Sequence, residues 1–448
     1  MNIYDKITLY GELCRKSNGL QIGEGMGKVP NKDKVKHFDF EKRPHNPCFL
    51  MGVAKGIISW PDLKKRNAKL TKVNMEGVEG PYLMLVNHAS MVDFNLMLKA
   101  THPARVNNVM TIEGFNTYTE PLMRSLGVLG TRKFITDLHL IKNMKYCIDK
   151  LQNIFVLFPE ARYSLDGCTS YLPQSLGKMA KMLGVPVVVL LIHGNFVTCP
   201  QWNKKNKKTY VEAEQKMIVT AEETKTLSAQ EINQRIAEHF VYDDFAWQKE
   251  NKIKIDDPGR ADGLHALLYK CPSCKTEGQM YSGGTKLWCE HCKKTWEMDE
   301  YGELHALEGE TEFPHIPDWS NWERECVREE IENGTYYFED DVRVETLPAS
   351  WKFYKQGMGK FIQTPEGTTV KCSYYNEPEY ELFRSAKSLE SMHIEYDYLG
   401  RGDCIDISIP DDSFWCYFTK RDVITKISFA TEEIHKVALK KKAAKTDE

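Results

Sequence analysis

Apolar and polar positions alternate along the chain in blocks. The run Tyr82–Val86 is short, continuous and apolar, and after a polar break Met91, Phe94, Leu96, Met97 and Leu98 recur with a helical rhythm. A continuous apolar run predicts a strand covered on both faces, and the spacing after it predicts a helix. Asn87 and His88 then fall on a strand-to-helix turn, with Asp93 five residues after the histidine. In open α/β sheets such turns gather at the carboxyl ends of strands, where ligands bind. The pattern repeats. "RVNNVMTI", "NIFVLF" and "VPVVVLLIHG" are β-rich, and helical patterns around 91–100, 119–126, 137–150 and 173–183 separate them. This predicts an α/β layer structure over residues 46–250, a mixed sheet flanked by helices.

Residues 1–45 are polar, with Gly, Asn and Lys clusters, and predict a loose leader with one short helix. After the helical "SAQEINQRIAEHFVYDDFAWQKEN" the pattern changes at "IKIDDPGRADG", which places a boundary near 250–265. From about 310 the short runs "TYYFEDDVRVETL", "TTVKCSYYN", "SMHIEYDYL", "CIDISI" and "SFWCYFT", separated by turn signals, predict a β-rich domain over 310–440. "RDVITKISFATEEIHKVALKKK" closes it as a helix with a lysine tail.

At 448 residues the chain is long enough for two or three domains, each with a core. A net charge of -3 gives no global attraction to nucleic acid, so a nucleic-acid partner is not expected. No apolar run approaches the roughly 18 residues of a spanning helix, and "MNIYDKITLYGELCRKSNG" lacks the apolar core of a secretory signal. A cytoplasmic location is expected. The 13 cysteines are an odd number and few for the length, which fits reduced thiols better than a disulfide framework.

Four cysteines stand apart. Cys271 and Cys274, then Cys289 and Cys292, form two Cys-x2-Cys pairs with fourteen residues between them, inside a segment at 265–300. Two such knuckles on a hairpin, with Gly283 and Gly284 at its tip, place four thiolates around one structural zinc. A redox dithiol is the competing reading. Lys270, Lys275, Lys293 and Lys294, with Trp288 and Trp296, could form a nucleic-acid face. The lysines also offset the roughly -2 charge of a zinc tetrathiolate, and that structural reading is preferred.

The α/β region carries four further blocks in order: "NHASMVD", "LGVLGTRKF", "FPEARYS" and "GVPVVVLL". Over roughly residues 80–195 this set resembles the glycerophospholipid acyltransferase family, whose members acylate glycerol-3-phosphate or lysophosphatidic acid. The resemblance implies transfer of a fatty acyl group from acyl-CoA or acyl carrier protein to the hydroxyl of a lysophospholipid or glycerol phosphate. His is suited to take the hydroxyl proton as the oxygen attacks the thioester, because its charge change lies near neutral pH. His88 is the expected base, and Asp93 the carboxylate that fixes its tautomer and stabilises the imidazolium. A planar guanidinium matches phosphate oxygens, so Arg132 and then Arg162 are the expected phosphate ligands. The resemblance implies that Glu160 helps hold the acceptor through a neighbouring arginine.

The third block departs from the family's Phe-Pro-Glu-Gly-x-Arg-Ser. Ala161 replaces the glycine, Arg162 stands one position early, Tyr163 occupies the arginine's place, and Ser164 is in register. Two local readings compete. Asp93 three residues after Ser90 matches a helix capping box, and Glu160 and Arg162 could pair with each other. An inactive fold acting as a scaffold through its zinc ribbon and β-rich domain is the alternative function.

A lipid substrate requires contact with a membrane. In "NPCFLMGVAKGIISWPDLKKR" the residues Leu50, Val53, Ala54, Ile57 and Ile58 recur at helical spacing, followed by Trp60, Lys64, Lys65 and Arg66. This predicts an interfacial helix with an aromatic anchor and basic residues toward headgroups, and a peripheral membrane protein. Packing on the domain core is the competing reading. The oligomeric state is not legible.

Overall fold

A computed structural model of the chain describes residues 29–115, 119–350 and 352–446. The first layer is a seven-stranded sheet built from β1 (Lys69–Val73), β2 (Leu83–Val86), β3 (Val106–Thr111), β4 (Val128–Thr131), β5 (Ile154–Leu157), β6 (Val187–His193) and β7 (Glu212–Val219). Its order is β1-β7-β6-β2-β5-β3-β4, with β6 and β7 antiparallel and the other pairs parallel. Side chains alternate between two cores. Met84, Val86, Val188 and Leu190 meet the helix Val92–Thr101 on one face. Leu83, Leu85, Val187 and Val189 meet the helices Leu138–Asp149 and Leu176–Leu183 on the other. Covering on both faces explains the continuous apolar run of β2, where an alternating strand would bury polar side chains in one of the two apolar cores.

Next comes a four-stranded antiparallel sheet of β8 (Met280–Gly283), β9 (Lys286–Cys289), β10 (Thr295–Met298) and β11 (Leu304–Ala306). The third layer is antiparallel, ordered β15-β14-β13-β12-β18-β17-β16, from β12 (Phe338–Ala349), β13 (Lys352–Thr364), β14 (Gly367–Tyr374), β15 (Glu377–Ser385), β16 (His393–Glu395), β17 (Cys404–Ser408) and β18 (Ser413–Phe418). Helices Ile316–Glu332 and Ile424–Thr446 pack on each other beside it.

These parts do not fold as isolated beads. Leu287 and Trp296 of the small sheet, Phe361 and Ile405 of the large one, and Val197 and Phe245 from the first region belong to one continuous core. The polar leader is also less loose than its composition suggests. Residues 1–28 lie outside the described residues, and the remainder carries one short turn at Lys32–Lys34. Beyond that turn, Phe38 is buried against Phe115, and its amide donates to the Pro348 carbonyl at 3.2 Å. One buried aromatic therefore straps this segment between the first and third layers. No described helix is long and apolar enough to cross a membrane.

Candidate active site

The site forms where β2 ends. Asn87 is fully buried, its amide donating to the Ile192 carbonyl and accepting from the Ile192 N–H, both at 2.8 Å. This pair of bonds extends the β2–β6 ladder by one side chain and fixes where the turn begins. The His88 N–H donates to Glu160 Oε2 at 2.9 Å, and its carbonyl accepts from the Ser164 N–H at 2.8 Å. Both polar backbone groups of the histidine are thus held by the turn that follows β5.

The side chain is as constrained. His88 Nδ1 lies 3.0 Å from Asp93 Oδ2, and the imidazole is packed by Phe158 and Tyr163, each with ring centroids 4.3 Å away. A carboxylate only accepts, so Nδ1 carries the proton and Nε2 is left basic. Nε2 has no hydrogen-bond partner among the described residues, and about a quarter of the side chain, 26%, is exposed. Asp93 is fully buried and does two jobs at once. Oδ2 also accepts from the amides of Ala89 at 2.6 Å and Ser90 at 3.0 Å, the helix-starting bonds of the capping reading. Oδ1 accepts from Asn195 Nδ2 at 2.7 Å. Capping and orienting the imidazole are therefore compatible, because one carboxylate has about four lone-pair sites.

Glu160 is placed beneath the turn rather than beside a ligand. Only 1% of it is exposed; besides the His88 amide, it accepts from the Ser170 N–H and the Tyr242 hydroxyl, each at 2.7 Å. Burial pushes its carboxyl up to about 7, against the bonds from Ser170, Tyr242 and His88 and the charge of Arg162, which pull it down. With both oxygens committed, Glu160 braces the backbone of the His88 turn.

The two arginines expected to hold phosphate are engaged elsewhere. Arg132 is buried, and its Nη atoms donate to the carbonyls of Leu347, Pro348 and Asp411 and to the Ser413 hydroxyl at 2.7 to 3.1 Å. It pins the end of β4 to the C-terminal sheet, and both of its Nη atoms, expected to meet phosphate, are bonded to these partners. Arg162 pairs through Nη2 with Glu432 at 2.7 Å rather than with Glu160, and its Nη1 is buried without a partner among the described residues. Burial of both groups, again, argues against Arg162 as an open phosphate ligand.

The four cysteines converge. The Sγ atoms of Cys271, Cys274, Cys289 and Cys292 lie within 4.8 Å of one another, with the Cys271–Cys292 and Cys274–Cys289 pairs at 3.7 Å. Zn–S bonds of about 2.3 Å in a tetrahedron give edges of roughly 3.8 Å, so the donor set fits zinc. Both knuckles fold alike. Lys275 and Lys293 donate their amides to the carbonyls of Cys271 and Cys289 at 2.9 Å, each with positive φ (63° and 64°). The lysines are engaged within the chain: Lys270 with Glu277, Lys293 with Glu290, Lys294 with Glu312, and Lys275 with the Pro272 carbonyl and the Trp322 ring. Such pairing leaves little of a basic nucleic-acid face.

Upstream, Leu50–Ala54, a π-helical turn at Lys55–Ser59 and Trp60–Lys65 form one bent helical arm. Phe49, Leu50, Val53 and Ile57 are exposed on it, and so is Met91 beside His88. Trp60 instead packs edge-on to His102, and Arg66 is buried and bonded to Asp62 and the Lys207 carbonyl, so neither stands out as a membrane anchor.

Residues that sequence reasoning missed are Asn195, Tyr242 and Phe158. Each is an ordinary polar or aromatic residue in an apolar stretch, and only the fold brings Phe158 to His88, Asn195 to Asp93 and Tyr242 to Glu160. Against known proteins, a family model described as Acyltransferase matches residues 64–193. No curated protein matches. Among solved structures, the 1-acyl-sn-glycerophosphate (LPA) acyltransferase PlsC from Thermotoga maritima is 18% identical, with 42% of this chain and 81% of that chain covered and a TM-score of 0.30. The matched stretch contains His88, Asp93 and Glu160, while Asn195 and Tyr242 lie beyond it.

Proposed function

We propose that the acyltransferase domain at residues 64–193 moves a fatty acyl group from a thioester, acyl-CoA or acyl carrier protein, to the hydroxyl of a lysophospholipid or glycerol phosphate. The observation that carries this reading is the 3.0 Å contact between His88 Nδ1 and Asp93 Oδ2, which leaves Nε2 as the basic nitrogen. In the first step Nε2 takes the proton of the acceptor hydroxyl as its oxygen attacks the thioester carbonyl carbon. The imidazolium that results is stabilised by Asp93. As the tetrahedral intermediate collapses the C–S bond breaks, and the leaving thiolate receives the proton from His88. The products are an ester and a free thiol, with the base restored. Asp93 orients the imidazole in both steps, and Glu160 with Ser164 holds the backbone that carries it.

Zinc on the four cysteines is part of the proposal as a structural ion. It would close the ribbon against the shared core, and it takes no part in the transfer. The exposed Phe49, Leu50, Val53 and Ile57, followed by the exposed Lys64 and Lys65, support docking of this arm on the cytoplasmic surface of a membrane. Sequestration of Arg132 and Arg162 favours the second reading, an inactive scaffold. The two readings separate in one assay. Purified protein is incubated with radiolabelled acyl-CoA or acyl carrier protein thioester and a panel of lysophospholipids and glycerol phosphate; labelled ester above the protein-free rate supports the transferase, and none across donors and acceptors supports the scaffold.

A further inference from the structure

We infer that Asn195, outside the stretch matched by the acyltransferase model, is the positioning residue that locks Asp93 in the orientation the base needs. The inference rests on the acyl-transfer reading of His88.

The geometry is built for this purpose from the end of β6. Gly194 follows that strand with φ +80, and a Cβ there would come within 2.5 Å of the Tyr210 carbonyl oxygen. This turn starts the short helix Asn195–Thr198 and places the Asn195 side chain against the His88 turn. The segment cannot drift, because Asn87 fastens Ile192 by two bonds of 2.8 Å and the Phe196 amide donates to Asp244 Oδ2 at the same distance. Asn195 and Asp93 are both fully buried, and their contact is 2.7 Å.

Three donors crowd onto Asp93 Oδ2, those of His88, Ala89 and Ser90, and Asn195 alone among the described residues occupies Oδ1. Without that fourth bond the carboxylate is held through Oδ2 alone, and the lone pair aimed at the imidazole loses the anchor that fixes its direction. A neutral amide is the right donor. A lysine or arginine there would compete with the imidazolium for the carboxylate, and an acid would repel it. The amide's own Oδ1 is buried without a partner among the described residues, so the side chain's one hydrogen bond is the one it gives Asp93.

The test is a double-mutant cycle read in kcat and KM on the full chain. Asn195→Ala should lower kcat about 10²-fold, the scale of a misplaced catalytic group, with acceptor KM nearly unchanged. In an Asp93→Asn background the same substitution should cost almost nothing more, because the residue it acts through is already altered. Asn195→Leu keeps the branched shape without a donor should alanine fail to fold, and it should lose rate in the same way. A proton NMR signal from His88 Nδ1–H, present in the wild type and lost in Asn195→Ala, reads the positioning without turnover. Wild-type kcat in both Asn195 variants, or losses that multiply undiminished in the Asp93→Asn background, overturns the inference. A wild type that transfers nothing while Asn195→Ala still removes the NMR signal overturns the acyl-transfer reading alone.

Discussion

Arg162 Nη2 sits 2.7 Å from Glu432 Oε1 across 270 residues of chain, and both side chains are buried. The arginine two residues after Glu160 is thereby tied to the C-terminal helix. Arg324 reaches the other oxygen of Glu432 at 2.6 Å, and the Ser391 hydroxyl adds a third donor at 2.7 Å. Two guanidiniums and a hydroxyl around one carboxylate join the first region, the helix Ile316–Glu332 and the C-terminal helix at a single point.

Removing that carboxylate should be expensive. Glu432→Ala leaves the buried Arg162 guanidinium without its counter-ion and Arg324 with Glu433 alone at 3.5 Å, and a broken buried pair costs about 3–5 kcal/mol. Chemical denaturation of wild type and variant measures it. Burial pushes the Glu432 carboxyl up, but the Arg324 and Arg162 charges and the Ser391 bond hold it at about 2. A carboxyl depressed in the folded state contributes stability that is present above its unfolded value of about 4.3 and lost as pH falls toward 2. Wild-type stability should therefore fall through that acid window more steeply than that of the variant.

Glu160 gives the opposite sign. Its folded value of about 7 lies above the unfolded one, so the folded state binds the extra proton between roughly pH 4.3 and 7, and stability declines as pH rises through that window. Glu160→Gln removes the titration, and the slope of Tm against pH should flatten there. The amide also turns a donor toward backbone N–H groups, so the variant should be less stable by about 1–3 kcal/mol. An unchanged slope would mean that this carboxyl is not the proton-binding group.

Asp93→Asn separates the two jobs of that residue. As a cap, asparagine is nearly equivalent to aspartate, so Tm should hold. The amide Nδ2 can replace Oδ1 if Asn195 turns its unpartnered Oδ1 inward, which accommodates the change without strain. As the imidazole's orienting group and counter-charge, asparagine is inadequate, and kcat should drop severely, toward the 10⁴-fold seen when such a carboxylate is neutralised in a serine protease. A stable variant with unchanged turnover would leave capping as the sole role.

If the four cysteines hold zinc as proposed, metal analysis of purified protein should find about one zinc per chain, since a tetrathiolate site is closed. Chelation should unfold more than the ribbon. Cys271 and Cys289 lie in the same core as Phe361 and Ile405, so loss of the ion should loosen the C-terminal sheet as well. Retention of full near-UV circular dichroism after the metal is stripped would contradict this.

What was legible in the sequence was local. The strand, turn and helix from Tyr82 to Thr101 follow from spacing, and so does the approach of Asp93 to His88, because five residues across a tight turn leave few other geometries. The cysteine knuckles are read from two identical spacings. What was not legible depends on distant partners. Nothing near Arg132 announces that its guanidinium turns to Leu347, Pro348, Asp411 and Ser413, more than two hundred residues on. Tyr242 and Asn195 are single polar residues whose meaning appears only when β5 and β6 stand beside β2. The helix Ile316–Glu332 is a different case. Pro317 in its first turn and the buried Ile316, Trp319, Glu323, Val327 and Ile331 are helical signals within a stretch otherwise read as strands.

The central claim is that His88 is the base of a direct acyl transfer, and it is tested most directly by His88→Ala in a thioester-consumption assay with the acceptor found for the wild type. The histidine is partly exposed on a turn, so the variant should fold and keep its Tm within a few degrees. Its kcat should fall by about 10²–10⁴-fold, the range that general-base catalysis supplies. A folded His88→Ala protein that turns over at the wild-type rate would contradict the account.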